Sequence, residues 1–317
     1  MPDVRAGHAD HHVVALAAYR DVLDAQYDAF NREDSAADPV HLVRRFSDPR
    51  DLEVAGFCAA ALAFGRVASV LHSIERLFAV LGPSPHAFVR AFDPPRHPEL
   101  RPLVHRWVTG KDLAALLLVL RRMLEQSGSL ESFFLEEDPD GHADIGPALD
   151  SFCRRALAFD LTAIYGTRRA RIGICHFFPR PSAGSACKRL NLFLRWMVRR
   201  DAVDLGVWSR VRAARLVVPL DTHVIRLGRC LGLTRRSTPG WKMAVEITEG
   251  LRALSPEDPV RYDFSLCHIG MAGMCGYGTR RGNRDCPLKG VCRPKRSPGA
   301  RWPARTRSAR QSPSARR

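Results

Sequence analysis

Lysine is scarce in this chain. Only Lys111, Lys188, Lys242, Lys289 and Lys295 stand among its 49 Lys and Arg residues. Arg serves wherever plain charge suffices, so each Lys draws attention as a side chain that can lose its proton and attack. Long apolar runs are missing too. The longest, Val54 to Phe64, is too short to span a bilayer, so no membrane role is expected. The first twelve residues show no charged start followed by an apolar stretch, and therefore no signal-peptide pattern. A cytoplasmic, nucleoid-associated protein is expected. In such a compartment the nine cysteines read as free thiols or metal ligands rather than disulfides. Strand signals are weak, since Leu216-Val217-Val218 runs straight into Pro219.

Acids are absent after Cys292, where nine basic residues sit among Pro, Ser and Ala with one aromatic, Trp302. That composition predicts a disordered tail over 293–317 able to grip phosphates without sequence preference, or simply a solvated one. The formal charge of +16 falls to +7 once those nine are set aside, so the folded part is only moderately basic. Polyanions are the first partners to consider. Residues 1–12 are expected to be disordered, and 13–292 to form one all-α domain.

Helical periodicity dominates that stretch. Helices are expected over Val13 to Asn31, Leu52 to Leu81, Leu113 to Gln126, Ile145 to Ala158, Ser185 to Arg200, Thr222 to Leu233, Trp241 to Leu254 and Pro259 to Met274. Asp48-Pro49-Arg50-Asp51 is a start signal and Gly82-Pro83-Ser84-Pro85 a stop. Gly166 to Gly184 reads as irregular.

One carboxylate stands out. In Val217-Val218-Pro219-Leu220-Asp221-Thr222-His223-Val224-Ile225-Arg226, Asp221 sits between an apolar run and an amphipathic helix. Taken alone it is a good N-cap. A helix N-terminus also keeps a carboxylate ionised, which suits an enzyme that develops positive charge on its substrate.

The full stretch V-V-P-L-D-T-H-V-I-R-L-G-R-C-L-G-L, from Val217 to Leu233, resembles the aspartate segment of helix-hairpin-helix DNA glycosylases of the endonuclease III type. Two more segments, A-L-A-F-G-R-V (Ala61 to Val67) and G-S-A-C-K-R-L-N-L-F-L-R-W-M-V (Gly184 to Val198), are similar to a bacterial family, without assigned activity, related to those enzymes. The resemblance implies a two-lobed all-α glycosylase-like fold, acting as a monomer on duplex DNA. Such enzymes flip a damaged base and cleave its glycosidic bond. It implies Asp221 as the catalytic carboxylate and Lys188 as the nucleophile of a glycosylase with AP-lyase activity. The bland reading of Lys188 is a surface or phosphate-binding lysine. It implies DNA contacts by Gly184 and Ser185 at a helix start, by His223 and Arg226, and by Arg280, Arg281 and Arg284. The usual two-glycine hairpin turn is missing, which leaves a non-catalytic nucleic-acid-binding protein on the same fold as the alternative.

Those enzymes end in a four-cysteine loop holding a 4Fe–4S cluster. Cys275, Cys286 and Cys292 sit near three of its positions, and Asn283 stands where the fourth thiolate belongs. Cys267 is the substitute nearest in sequence. A cluster, a zinc ion and buried thiols without metal all remain open readings here.

Overall fold

The structure, a computed structural model, describes residues 19–34, 38–138, 142–167, 171–275, 277, 286–289 and 292. The expectations for residues 1–12, for the 293–317 tail and for Arg280, Arg281, Asn283 and Arg284 lie outside them.

The described chain is helical, as its periodicity implies, with fourteen α-helices. In order these are α1 (Arg20–Phe30), α2 (Pro39–Val43), α3 (Pro49–Leu62), α4 (Val67–Leu81), α5 (Pro85–Ala91), α6 (Gly110–Ser127) and α7 (Leu130–Leu135). Then come α8 (Gly146–Ala158), α9 (Thr162–Tyr165), α10 (Ile172–Phe177), α11 (Lys188–Val198), α12 (Thr222–Cys230), α13 (Trp241–Arg252) and α14 (Asp263–Met271). One short antiparallel hairpin, Val104–His105 with Val108–Thr109, precedes α6. No described helix is long and apolar enough to cross a membrane.

Local chemistry starts these helices. Asp38, Asp48 and Ser84 cap α2, α3 and α5, each followed by a proline at the first helical position. Thr109 and Asp112 close a capping box on α6.

The single helix expected from Leu52 to Leu81 is two helices. The chain breaks after Leu62, where Gly65 takes φ +112° and Arg66 is extended. Apolar periodicity is indifferent to such a kink, because both halves bury into one core. Gly166 to Gly184, read as irregular, follows directly on α9 and contains α10.

The second half of α3 is buried on all sides, from Val54 to Leu62. It lies against α11, whose Phe193, Trp196 and Met197 are also buried. One continuous apolar cluster runs from Tyr19 to Cys292.

The close pairing of α12 with α14 positions the site. Gly270 permits it, since a Cβ there would sit 2.6 Å from His223 Cβ. The Gly270 carbonyl also accepts from Arg226 Nη2 at 2.6 Å. Gly270→Ala gains about 1 kcal/mol of helix propensity and costs about 1–3 kcal/mol in overpacking. Urea unfolding is therefore expected to show a net destabilisation on the order of 1 kcal/mol. An unchanged midpoint would mean that the helices separate freely.

Candidate functional site

Asp221 is the N-cap of α12. Its Oδ1 accepts from the amides of His223 and Val224, each at 2.8 Å. With one oxygen held by backbone and the helix dipole behind it, the carboxylate is fixed in place. The second oxygen, Oδ2, faces two side chains from other helices. Lys188 Nζ, from the first residue of α11, stands 3.9 Å away. The thiol of Cys267, on α14, donates to it at 3.1 Å. Burial, with the Asp221 carboxylate next, pushes the Cys267 thiol well above its usual range, so the sulfur keeps its proton and remains a donor.

These three residues line one cavity of about 150 Å³. Its apolar walls include Phe64, Phe264 and Met271, and Gly65 from the α3–α4 break also borders it. Two segments singled out from sequence, Ala61 to Val67 and Gly184 to Val198, thus meet Asp221 at one place. Arg189 ties them together. Its guanidinium donates to the carbonyls of Ala61 and His176 and lies over the Phe64 ring.

A buried ionic network lies behind the cavity. Arg195 Nη1 donates to both oxygens of Asp263 at 3.1 Å, and Arg195 Nε to Asp204 Oδ1 at 3.1 Å. Arg199 joins Asp204, Asp201 and Asp258. Burial pushes the Asp204 carboxyl up to about 7, against the pull of Arg195 and Arg199. The network clamps α11, which carries Lys188, to α14, which carries Cys267. Sequence reasoning missed it. The available signal was a pair of arginines, one helical turn apart, on or near the core face of an amphipathic helix.

A larger hollow of about 350 Å³ lies elsewhere, near Arg45 and Glu75. Those two charges are bound to each other through two hydrogen bonds.

Other expected site residues fall elsewhere. Gly184 and Ser185 do not open a helix. The last residue before α11 is Cys187, at φ +49°, and Ser185 Oγ accepts from its amide at 3.2 Å. Gly184, at φ +81°, offers its carbonyl to the Trp241 amide at 3.3 Å. The His223 side chain packs on Gly270, and Arg226 is bonded to the Gly270 carbonyl. Cys267 is engaged with Asp221 rather than with another cysteine. Cys275, Cys286 and Cys292 are buried free thiols. Among the described residues no three His, Cys, Asp or Glu side chains are set to hold a metal ion.

The architecture and site thus define an all-α protein with an amine–carboxylate pair at the wall of a small cavity. The model of a family described as a protein of unknown function, DUF2400, matches residues 38–272, and the chain belongs to that family. No curated protein and no solved structure matches it.

Proposed function

We propose that this chain is a DNA glycosylase related to the helix-hairpin-helix enzymes, acting on a damaged base flipped out of duplex DNA. One observation carries the reading. Lys188 and Asp221, far apart in sequence, meet at 3.9 Å beside an apolar cavity. Phe64 and Phe264 would pack against the base, and Asp221 would steady the positive charge that develops on the sugar.

In the bifunctional version Asp221 receives a proton from the Lys188 ammonium. The free amine then attacks C1′ as the bond from C1′ to the base breaks, and the base leaves with the electron pair and takes up a proton. A second proton passes from nitrogen to the ring oxygen as the C1′–O4′ bond breaks, and the opened sugar is left joined to Lys188 as the Schiff base. A salt-bridged ammonium is a poor nucleophile until it passes on that proton, so the neighbouring carboxylate is a requirement of the scheme.

Borohydride trapping on a panel of damaged duplexes tests this. The wild type is expected to give a covalent adduct and Lys188→Gln none. No adduct and no base release on any lesion would remove the enzymatic reading.

A second reading, non-catalytic nucleic-acid binding on the same fold, draws on the turn at Gly184 and Ser185. That turn is stitched to Trp241 and leads to no immediate helix start. It predicts binding without base release, unchanged by Asp221→Asn.

A further inference from the structure

The cavity has an apolar and cationic rim that the reaction at Asp221 does not use. Six large apolar side chains are exposed among the described residues. Two of them, Val67 and Met271, line the cavity. Two more, Val104 and Trp107, stand on the hairpin before α6, and Ile172 lies one helical turn before His176 on α10. The Trp107 ring is 4.9 Å from that of Phe64, a cavity wall, and 5.2 Å from that of His176. Single exposed hydrophobics are ordinary, but five around one opening mark an interaction face.

The hairpin is pinned in place there. His105 is buried, its Nε2 donates to the Phe64 carbonyl, and its Nδ1 shares a hydrogen bond with Ser73 Oγ on α4, both at 2.9 Å. Burial, with Arg189 and His105 next, pushes His176 down to about 4, so its ring is neutral and backs Trp107 as an apolar wall. The turn has two residues, Arg106 and Trp107, between the paired His105 and Val108. Arg106 takes φ +56° at a position that glycine usually fills. Its side chain lies against Gly65 on the cavity border, where a Cβ would come within 3.2 Å of Arg106 Cδ. Its guanidinium carbon is 5.2 Å from the centre of the Trp107 ring.

Charge points to the kind of partner. Exposed arginines elsewhere are paired with acids, as Arg50 is with Asp48 and Arg210 with Glu131. Arg66 and Arg106, both exposed at this rim, have no carboxylate partner among the described residues. Two unpaired guanidiniums beside an exposed indole suit a strand of nucleic acid. Its bases stack on aromatic rings and guanidinium planes, and its phosphates take up the charges. An acidic peptide would use the cations and leave the indole without a stacking partner.

We propose that the Arg106–Trp107 turn is a stacking platform for an unpaired nucleobase, with Arg66 and Arg106 on the phosphates beside it. Phe64 borders both the platform and the cavity, so the stacked base is a neighbour of the one in the cavity. The preferred ligand is therefore DNA with two or more unstacked bases, as in a bubble or a single strand, rather than fully paired duplex. The assignment rests on the nucleic-acid reading above but not on catalysis by Asp221 or Lys188.

The test is binding of lesion-free oligonucleotides to the full chain. Wild type is expected to bind a mixed-sequence single strand, and a duplex with an unpaired bubble, more tightly than the fully paired duplex, with quenching of tryptophan fluorescence. Trp107→Ala is expected to lose about 5- to 100-fold in affinity for the single strand. Trp107→Phe is expected to keep most of the affinity and lose the quenching. Arg66→Gln and Arg106→Gly should each lower the slope of log affinity against log salt by about 0.7, the value for one phosphate contact on a single strand. Glycine suits the turn, so Arg106→Gly keeps the hairpin. Wild-type affinity in a folded Trp107→Ala, undiminished quenching in Trp107→Phe, or tighter binding of the paired duplex by wild type overturns the platform. If circular dichroism shows Trp107→Ala unfolded, the quenching in Trp107→Phe decides. Base release from damaged DNA, measured separately, keeps the two proposals apart. Release without stacking removes the platform alone, and stacking without release removes the reaction alone.

Discussion

Asp221→Asn is expected to lower base release by about 10²–10³-fold while leaving the melting temperature close to that of wild type. The asymmetry follows from the two oxygens. Oδ1 caps α12 through the amides of His223 and Val224, and an Asn carbonyl oxygen does this nearly as well. Oδ2 faces Lys188 and Cys267, where charge and proton affinity matter and an amide supplies neither. Asp221→Ala removes both roles and should in addition cost about 1 kcal/mol of stability. Single-turnover rates with thermal melts on both variants check this. Full activity in Asp221→Asn would leave the carboxylate as a cap and nothing more. The Cys267 hydrogen bond belongs to the same geometry, since it restrains the oxygen that also faces the lysine.

Arg195→Met is expected to be the most destabilising single change outside the apolar core, by about 3–5 kcal/mol near neutral pH. Arg195 is almost entirely buried and binds two carboxylates, Asp204 and Asp263, that are themselves buried. Removing it takes the hydrogen-bonded cation from Asp263 and leaves Asp204 to Arg199 alone. Arg195→Lys rescues little, because an ammonium cannot span both partners as a guanidinium fork does.

The loss should depend on pH. Burial already raises the Asp204 and Asp263 carboxyls above their usual range, and losing Arg195 raises them further. A raised carboxyl binds more protons folded than unfolded, so its contribution to stability is present at low pH and lost as pH rises through the folded value. The defect of Arg195→Met is therefore expected to shrink between pH 8 and pH 5. Urea titrations at both values decide it, and a pH-independent deficit below 1 kcal/mol would show that the network is not a clamp.

The helices and the Asp221 cap were legible because their causes are local. An Asp before an amphipathic run caps whatever surrounds it, and Pro49 after Asp48 starts a helix in any fold. The break at Gly65 was not legible, because apolar periodicity continues across it. Nor was the turn at Gly184 and Ser185, where hydrogen bonds to Cys187 and Trp241 hold the chain out of the helix until Lys188. Spacing alone nominated Cys267 as a metal ligand, and tertiary contact placed it on Asp221.

The sequence by itself determined that this protein is helical, that Asp221 caps α12, and that Lys188 is one of very few side chains able to serve as an amine. Only the tertiary structure decided that Lys188 and Cys267 meet the same carboxylate oxygen, and that two arginines are buried among four aspartates. The physical reason is range. Capping and periodicity act within a few residues, whereas these contacts depend on how α3, α11, α12 and α14 pack, and no spacing along the chain encodes the distance between helices.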